Sequence, residues 1–146
     1  MTGVRWGYFD SSVLLKRYVP EPFRADAQRL AREHAVVASA VLPVELMSGL
    51  VRRWSGGDLT ESDFRRALAQ IRQDRQGWQL LEVTSMVLAR AEIVVERTAL
   101  RTLDAIHVAS CLSFAETIER SVPFVTADAR QRAAAERLAL DVVWVA

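Results

Sequence analysis

Short apolar, β-rich runs alternate with longer segments of helical spacing along the whole of this chain, and that alternation confines it to one broad class of fold. The runs are Val4 to Phe9, Ala35 to Ser39, Gln79 to Val83, Pro123 to Val125 and Val142 to Val145. Strands that are apolar almost throughout, with helices between them, imply an α/β fold whose central, mainly parallel sheet is covered on both faces. In such folds ligands gather beyond the carboxyl ends of the strands, near the point where strand order reverses. Whatever stands just after those strands is therefore the first place to look for chemistry.

The intervening segments carry recognisable helix patterns. Phe23, Ala27, Leu30 and Ala31 form one stripe after Pro22, a residue suited to a first helical turn, and this helix should lie on the sheet. Val44, Met47, Val51 and Trp54 form a second stripe, and Phe64, Leu68 and Ile71 a third. Thr60 is placed to cap the third helix, with Asp63 at the capping-box position and Leu59 able to staple against Phe64. Its other face carries Arg65, Arg66, Arg72 and Arg75, a solvated surface or a nucleic-acid contact. Ser55-Gly56-Gly57-Asp58 reads as a helix stop and turn. Ser85 should cap a helix bearing Leu88, Ala91 and Val95, whereas Leu103 to Glu119 is apolar nearly all round and should be central.

At 146 residues and 51% hydrophobic composition the chain suits a single domain, residues 1–146, with a continuous core. Cys111, the single cysteine, packs best as a small hydrophobe in a reducing compartment. The first ten residues lack a signal-peptide pattern and the run Ala35 to Val44 is too short to span a bilayer, so a soluble, cytoplasmic protein with no membrane partner is expected. The net charge of +1 argues against indiscriminate polyanion binding. Lys16 is the only lysine, and the arginines that make up the other cations bind phosphate bidentately and stack on bases. Nucleic-acid contact would have to come from a local basic rim.

Four carboxylates stand where strands end or helices begin. Asp10 closes the first run, Glu45 interrupts an apolar stretch, Asp104 opens the central helix and Asp128 follows the fourth run. Singly, each has a structural reading: Asp10 and Asp128 as helix N-caps, Asp104 as a first-turn acid, Glu45 as an exposed helical position. Together, and with Glu45 and Asp104 tightly flanked by apolar residues, they imply a shared acidic pocket whose repulsion calls for a divalent cation. Mg²⁺ or Mn²⁺ prefers such oxygens and binds phosphate simultaneously, which points to a metal-dependent phosphodiesterase. Ser11 and Ser12 can cap the helix after Asp10 or support the metal site, and Thr126 can cap its helix or orient Asp128. His107, three residues beyond Asp104, reads as a hydrogen-bonded core histidine or a ligand.

Tyr8-Phe9-Asp10-Ser11-Ser12-Val13-Leu14-Leu15-Lys16-Arg17-Tyr18-Val19-Pro20-Glu21-Pro22, Val44-Glu45-Leu46, Leu103-Asp104-Ala105-Ile106-His107-Val108-Ala109 and Phe124-Val125-Thr126-Ala127-Asp128 resemble PIN-domain ribonucleases, especially the VapC toxins of bacterial toxin-antitoxin pairs. The resemblance runs in order over nearly the whole chain, with little in Trp54 to Trp78. It implies a three-layer α/β/α fold with about five strands, and Asp10, Glu45, Asp104 and Asp128 holding one or two Mg²⁺ or Mn²⁺ ions. Asp128 would ligate directly, through water, or on the second ion alone. It also implies RNA cleavage by activated water, a VapB-like antitoxin, and a homodimer that forms a heterotetramer or larger assembly with it. The alternative is a PIN-like module that binds RNA or antitoxin without cutting. A receiver domain, a haloacid-dehalogenase phosphatase and an Asp-x-Ser-x-Ser adhesion site are each excluded by residue spacing.

Overall fold

A computed structural model describes residues 3–146. Five parallel strands, β1 (Trp6–Phe9), β2 (Ala35–Ser39), β3 (Gln79–Leu81), β4 (Phe124–Thr126) and β5 (Val142–Trp144), form one sheet in the order β3-β2-β1-β4-β5. The chain builds outward from β1 through β2 to β3, then returns to the other side of β1 with β4 and β5. Strand order therefore reverses between β1 and β4.

Alternation along each strand divides the core. Phe9, Val36, Ala38 and Val125 face α1 (Ser11–Tyr18), α2 (Arg24–Glu33), α3 (Leu42–Ser55) and α4 (Glu61–Asp74). Tyr8, Val37 and Phe124 face α5 (Ser85–Thr98), α6 (Thr102–Ile118) and α7 (Ala129–Arg137). The result is three layers, α/β/α, as the strand pattern requires. Helix α6 is buried continuously from Ala105 to Cys111, which explains its all-round apolar sequence.

Local signals account for most element boundaries. Thr60 Oγ1 accepts from the Asp63 amide at 3.0 Å, and Leu59 and Phe64 share one buried cluster. Helix α3 stops at Gly56, and Gly57 takes φ 82°, a left-handed conformation that costs glycine little. Four helix expectations need correction. Thr84, not Ser85, is the cap of α5, accepting from the Val87 amide. Phe23 is the N-cap of α2 at φ 67°, exposed beyond its stripe. Helix α3 turns Leu42, Leu46, Gly49 and Leu50 inward, leaving Val44, Met47, Val51 and Trp54 between 36% and 72% exposed. Leu88 and Val95 of α5 likewise face outward while Val87, Ala91 and Val94 are buried. No helix among the described residues is long and apolar enough to cross a membrane.

Candidate active site

Where strand order reverses, the carboxyl ends of β1 and β4 lie side by side, because Phe9 pairs with Val125 and the Asp10 amide donates to the Val125 carbonyl. That register brings Thr126 against Asp10. Asp10 is completely buried, with Oδ2 accepting from Thr126 Oγ1 at 2.7 Å and Oδ1 from Ser12 Oγ at 2.6 Å and the Val13 amide at 3.3 Å. Asp10 is thus the N-cap of α1, and more than a cap. Ser12 Oγ also accepts from the Ala127 amide and Thr126 Oγ1 from the Asp128 amide, so these two hydroxyls stitch the two loops together. Ser12 braces Asp10 rather than capping α1, and Thr126 orients Asp10 while holding the backbone of Asp128. Ser11 lines the adjoining concavity.

The other three acids arrive on helices. Asp104, in the first turn of α6, accepts at Oδ1 from Gln131 Nε2 at 2.9 Å. Asp128 caps α7, with Oδ1 accepting from the Arg130 and Gln131 amides. Glu45, in the first turn of α3, sits with Oε1 at 2.6 Å from His107 Nε2. His107 is buried, and its Nδ1 meets the Tyr8 hydroxyl at 2.8 Å, while that hydroxyl also accepts from the Ser39 amide. A chain of bonds therefore links the middle of the sheet to a site carboxylate through a core histidine.

Electrostatics link Asp104 to Asp128 and Glu45, and link Asp10, Glu45 and Asp104 to His107. Burial, then the like charge of Asp128, and also that of Glu45, hold Asp104 above the usual carboxylate range, with His107 and Arg101 opposing. Burial raises Asp10 too, against the pull of the Ser12 and Thr126 hydroxyls and of His107. Burial alone would depress the imidazole pKa of His107, but the Glu45 bond and charge, with Asp10 and Asp104, outweigh it and raise the pKa. Among the described residues no three histidine, cysteine, aspartate or glutamate side chains stand in a ready ion-holding cluster. Each carboxylate is instead tied to a protein donor.

Those ties are one-sided for three of the acids. Among the described residues only Oε1 of Glu45 and Oδ1 of Asp104 and Asp128 have hydrogen-bond partners, which leaves one oxygen of each untied. Gln131, buried beside Asp104, also has an Oε1 with no partner. Untied carboxylate oxygens and an orphaned amide oxygen make an all-oxygen donor set, the hard kind that Mg²⁺ and Mn²⁺ take. Both ring nitrogens of His107 are engaged elsewhere. Sequence reasoning missed Gln131, although it occupies the capping-box position three residues after Asp128. Alongside lies a concavity of about 550 Å³ lined by Ser11, Ser12, Glu45 and Ala127, with Lys16, Arg52 and Arg53 on its rim.

A PIN domain family profile matches residues 7–137. No curated protein matches significantly. Among solved structures, the chain is similar to one from a toxin-antitoxin complex of Klebsiella pneumoniae (TM-score 0.62, 14% identity, covering 87% of this chain and 90% of that one). It is also similar to a chain of FitAcB from Neisseria gonorrhoeae (TM-score 0.66, 16% identity, 92% and 94% covered). A third likeness is to VapBC-5 of Mycobacterium tuberculosis, a member of the VapBC family of toxin-antitoxin systems (TM-score 0.57, 19% identity, 97% and 98% covered). At such identities the likeness is one of fold.

Proposed function

The chain belongs to the PIN domain family, and on that premise we propose that it is a metal-dependent endoribonuclease, the toxin of a VapBC-type toxin-antitoxin pair. The observation that carries this reading is that Asp10, Glu45 and Asp104 all act on His107, and Asp128 and Glu45 on Asp104, at the reversal of strand order, with untied oxygens on three of the four acids. Asp10, Glu45, Asp104 and Asp128 are the proposed ligands for one or two Mg²⁺ or Mn²⁺ ions. When bound, such an ion supplies a water acidified towards neutral pH and neutralises charge gathering on the phosphate.

The protein's own side chains set the geometry. Ser12 and Thr126 fix both oxygens of Asp10, while Gln131 fixes one oxygen of Asp104 and His107 one of Glu45, so the second oxygens of Asp104 and Glu45 stay free to take a ligand. Lys16, Arg52 and Arg53, which line the concavity, would receive the flanking phosphates, Lys16 and Arg53 by exchange with their shared partner Glu21. Attack by external water, with the 3′-oxygen as the leaving group, leaves the 2′-hydroxyl unused, so the product ends should carry 5′-phosphates and 3′-hydroxyls. Exposed apolar side chains on α3 and α5, among them Met47, Val51, Met86 and Ile93, favour a homodimer and a VapB-like antitoxin partner in a cytoplasmic heterotetramer or larger complex.

The test is incubation of purified protein with structured RNA, with and without Mn²⁺, followed by mapping of the new ends. Mn²⁺-dependent cuts with 5′-phosphates, lost in Asp10→Asn and Asp104→Asn, are expected; 2′,3′-cyclic phosphates, or activity surviving both substitutions, overturn the mechanism. The second reading, a PIN-like module that binds RNA or antitoxin without cutting, draws on the absence of a ready ion-holding cluster among the described residues. Metal-independent RNA binding with no new ends would favour it.

A further inference from the structure

A second cleft, of about 510 Å³, opens on the far side of α1 and has a character opposite to that of the acidic site. Arg17 and Tyr18 at the end of α1 form its floor, Arg24, Gln28 and Arg32 of α2 one wall, and Asp63, Arg66 and Gln70 of α4 the other. Four guanidiniums face one carboxylate. The α2 wall is a single row, because residues four apart stack along one helix face and Arg24 to Arg32 spans about 12 Å. Arg17 is tied to Asp74 at 3.3 Å and Arg66 to Asp63 at 3.4 Å. Arg24 and Arg32 have no carboxylate within ion-pairing distance among the described residues, whereas Arg29, on another face of the same helix, is tied to Asp26 and Glu33.

We propose that this cleft binds the phosphodiester backbone of a single RNA strand through Arg24 and Arg32, with Arg17 and Arg66 behind them. The chemistry favours a strand over an acidic peptide. Planar guanidinium forks in a row meet successive phosphates bidentately, and Gln28 and Gln70 add amide donors, while Asp63, held by Arg66, and Pro20, Ala67 and the Tyr18 ring complete the lining among the described residues. An amphipathic peptide would need an apolar trough that the cleft lacks. Helix α1 has eight residues and is about 12 Å long. It carries Asp10 at its start and Arg17 near its end, so a strand held in the cleft would run a few nucleotides from a linkage at the acids. That last placement rests on the nuclease reading; the cleft's affinity for a strand does not.

The test uses the intact chain in chelator, so that no cleavage is required for the readout. Fluorescence anisotropy with a single-stranded RNA of about twelve nucleotides is recorded over a range of salt for the wild type, Arg24→Gln/Arg32→Gln and Arg29→Gln. The double variant should bind roughly tenfold more weakly at low salt, and its log-log salt slope should fall by about 0.7 per arginine, while Arg29→Gln should match the wild type. Equal loss in Arg29→Gln, or an unchanged slope in the double variant, overturns the assignment. So does displacement of the strand by low inorganic phosphate, or arginine-dependent capture of an oligoglutamate peptide in place of RNA. Thermal melts of both exposed-arginine variants check that each is folded. A wild type that binds RNA through these arginines yet never cuts would contradict the nuclease reading and leave the cleft intact.

Discussion

Asp10 sits at the centre of the hydroxyl network yet is held above the ordinary carboxylate range by burial, and this has a measurable cost. A carboxyl with a raised folded-state pKa lends stability that is present below the unfolded pKa and lost as pH rises through the folded value. In chelator at neutral pH, Asp10→Asn should therefore melt several degrees above the wild type, with the gap closing as pH falls below the usual carboxylate range. A variant that melts lower at neutral pH would mean that the lost bonds to Ser12 and Thr126 outweigh the relief of charge. Gln131→Leu is the complementary case: it frees Asp104 while sparing the Asp128 cap, and should lower cleavage by roughly 10- to 100-fold with little change in melting. Unaltered turnover would remove Gln131 from the site. The acids themselves were legible as sequence because each stands at an element boundary. Gln131 was not, since its capping position normally turns a side chain back towards the cap, and here it reaches across to Asp104 instead.

Among the elements, α3 shows where periodicity reasoning stops. Leu42, Leu46 and Leu50 recur every fourth residue and Val44, Met47, Val51 and Trp54 at mixed steps of three and four, so the helix is apolar on two faces and pattern alone does not choose between them. Packing against α1 makes the choice, and Gly49 lies at that contact: a Cβ there would come within 2.7 Å of Leu15 Cδ2, so the leucine side chain would have to give way. Gly49→Val should destabilise the fold by about 1–3 kcal/mol through overpacking, read as a lower urea midpoint at unchanged slope. Wild-type stability in that variant would show that the helices can separate freely. By contrast α4 was readable because Thr60, Leu59 and Phe64 act locally, within a few residues of one another. Elements whose placement depends on distant partners are the ones sequence leaves ambiguous.

At the level of the whole molecule, the parallel sheet and its two helical layers followed from apolar runs and their spacing, but the order β3-β2-β1-β4-β5 did not. Parallel strands of similar composition carry no label for their neighbours, and the pairing emerges only when both layers are packed. Cys111 reports on that packing: it is fully buried and its thiol pKa is pushed well up by burial, with Sγ directed at the Val122 carbonyl. A thiol reagent should modify native protein only through global opening, so labelling should track the unfolding midpoint across urea concentrations. Rapid labelling without denaturant would show that α6 loosens separately. The pairing of Phe9 with Val125 has a further implication for how such a protein can change over generations. Sliding β4 by a single residue would carry the Thr126 hydroxyl to the opposite surface of the sheet, away from Asp10. Lengthening the turn at Gly56 and Gly57 would move neither partner, so inheritance should be strict about insertions beside Thr126 and lenient about them at that turn.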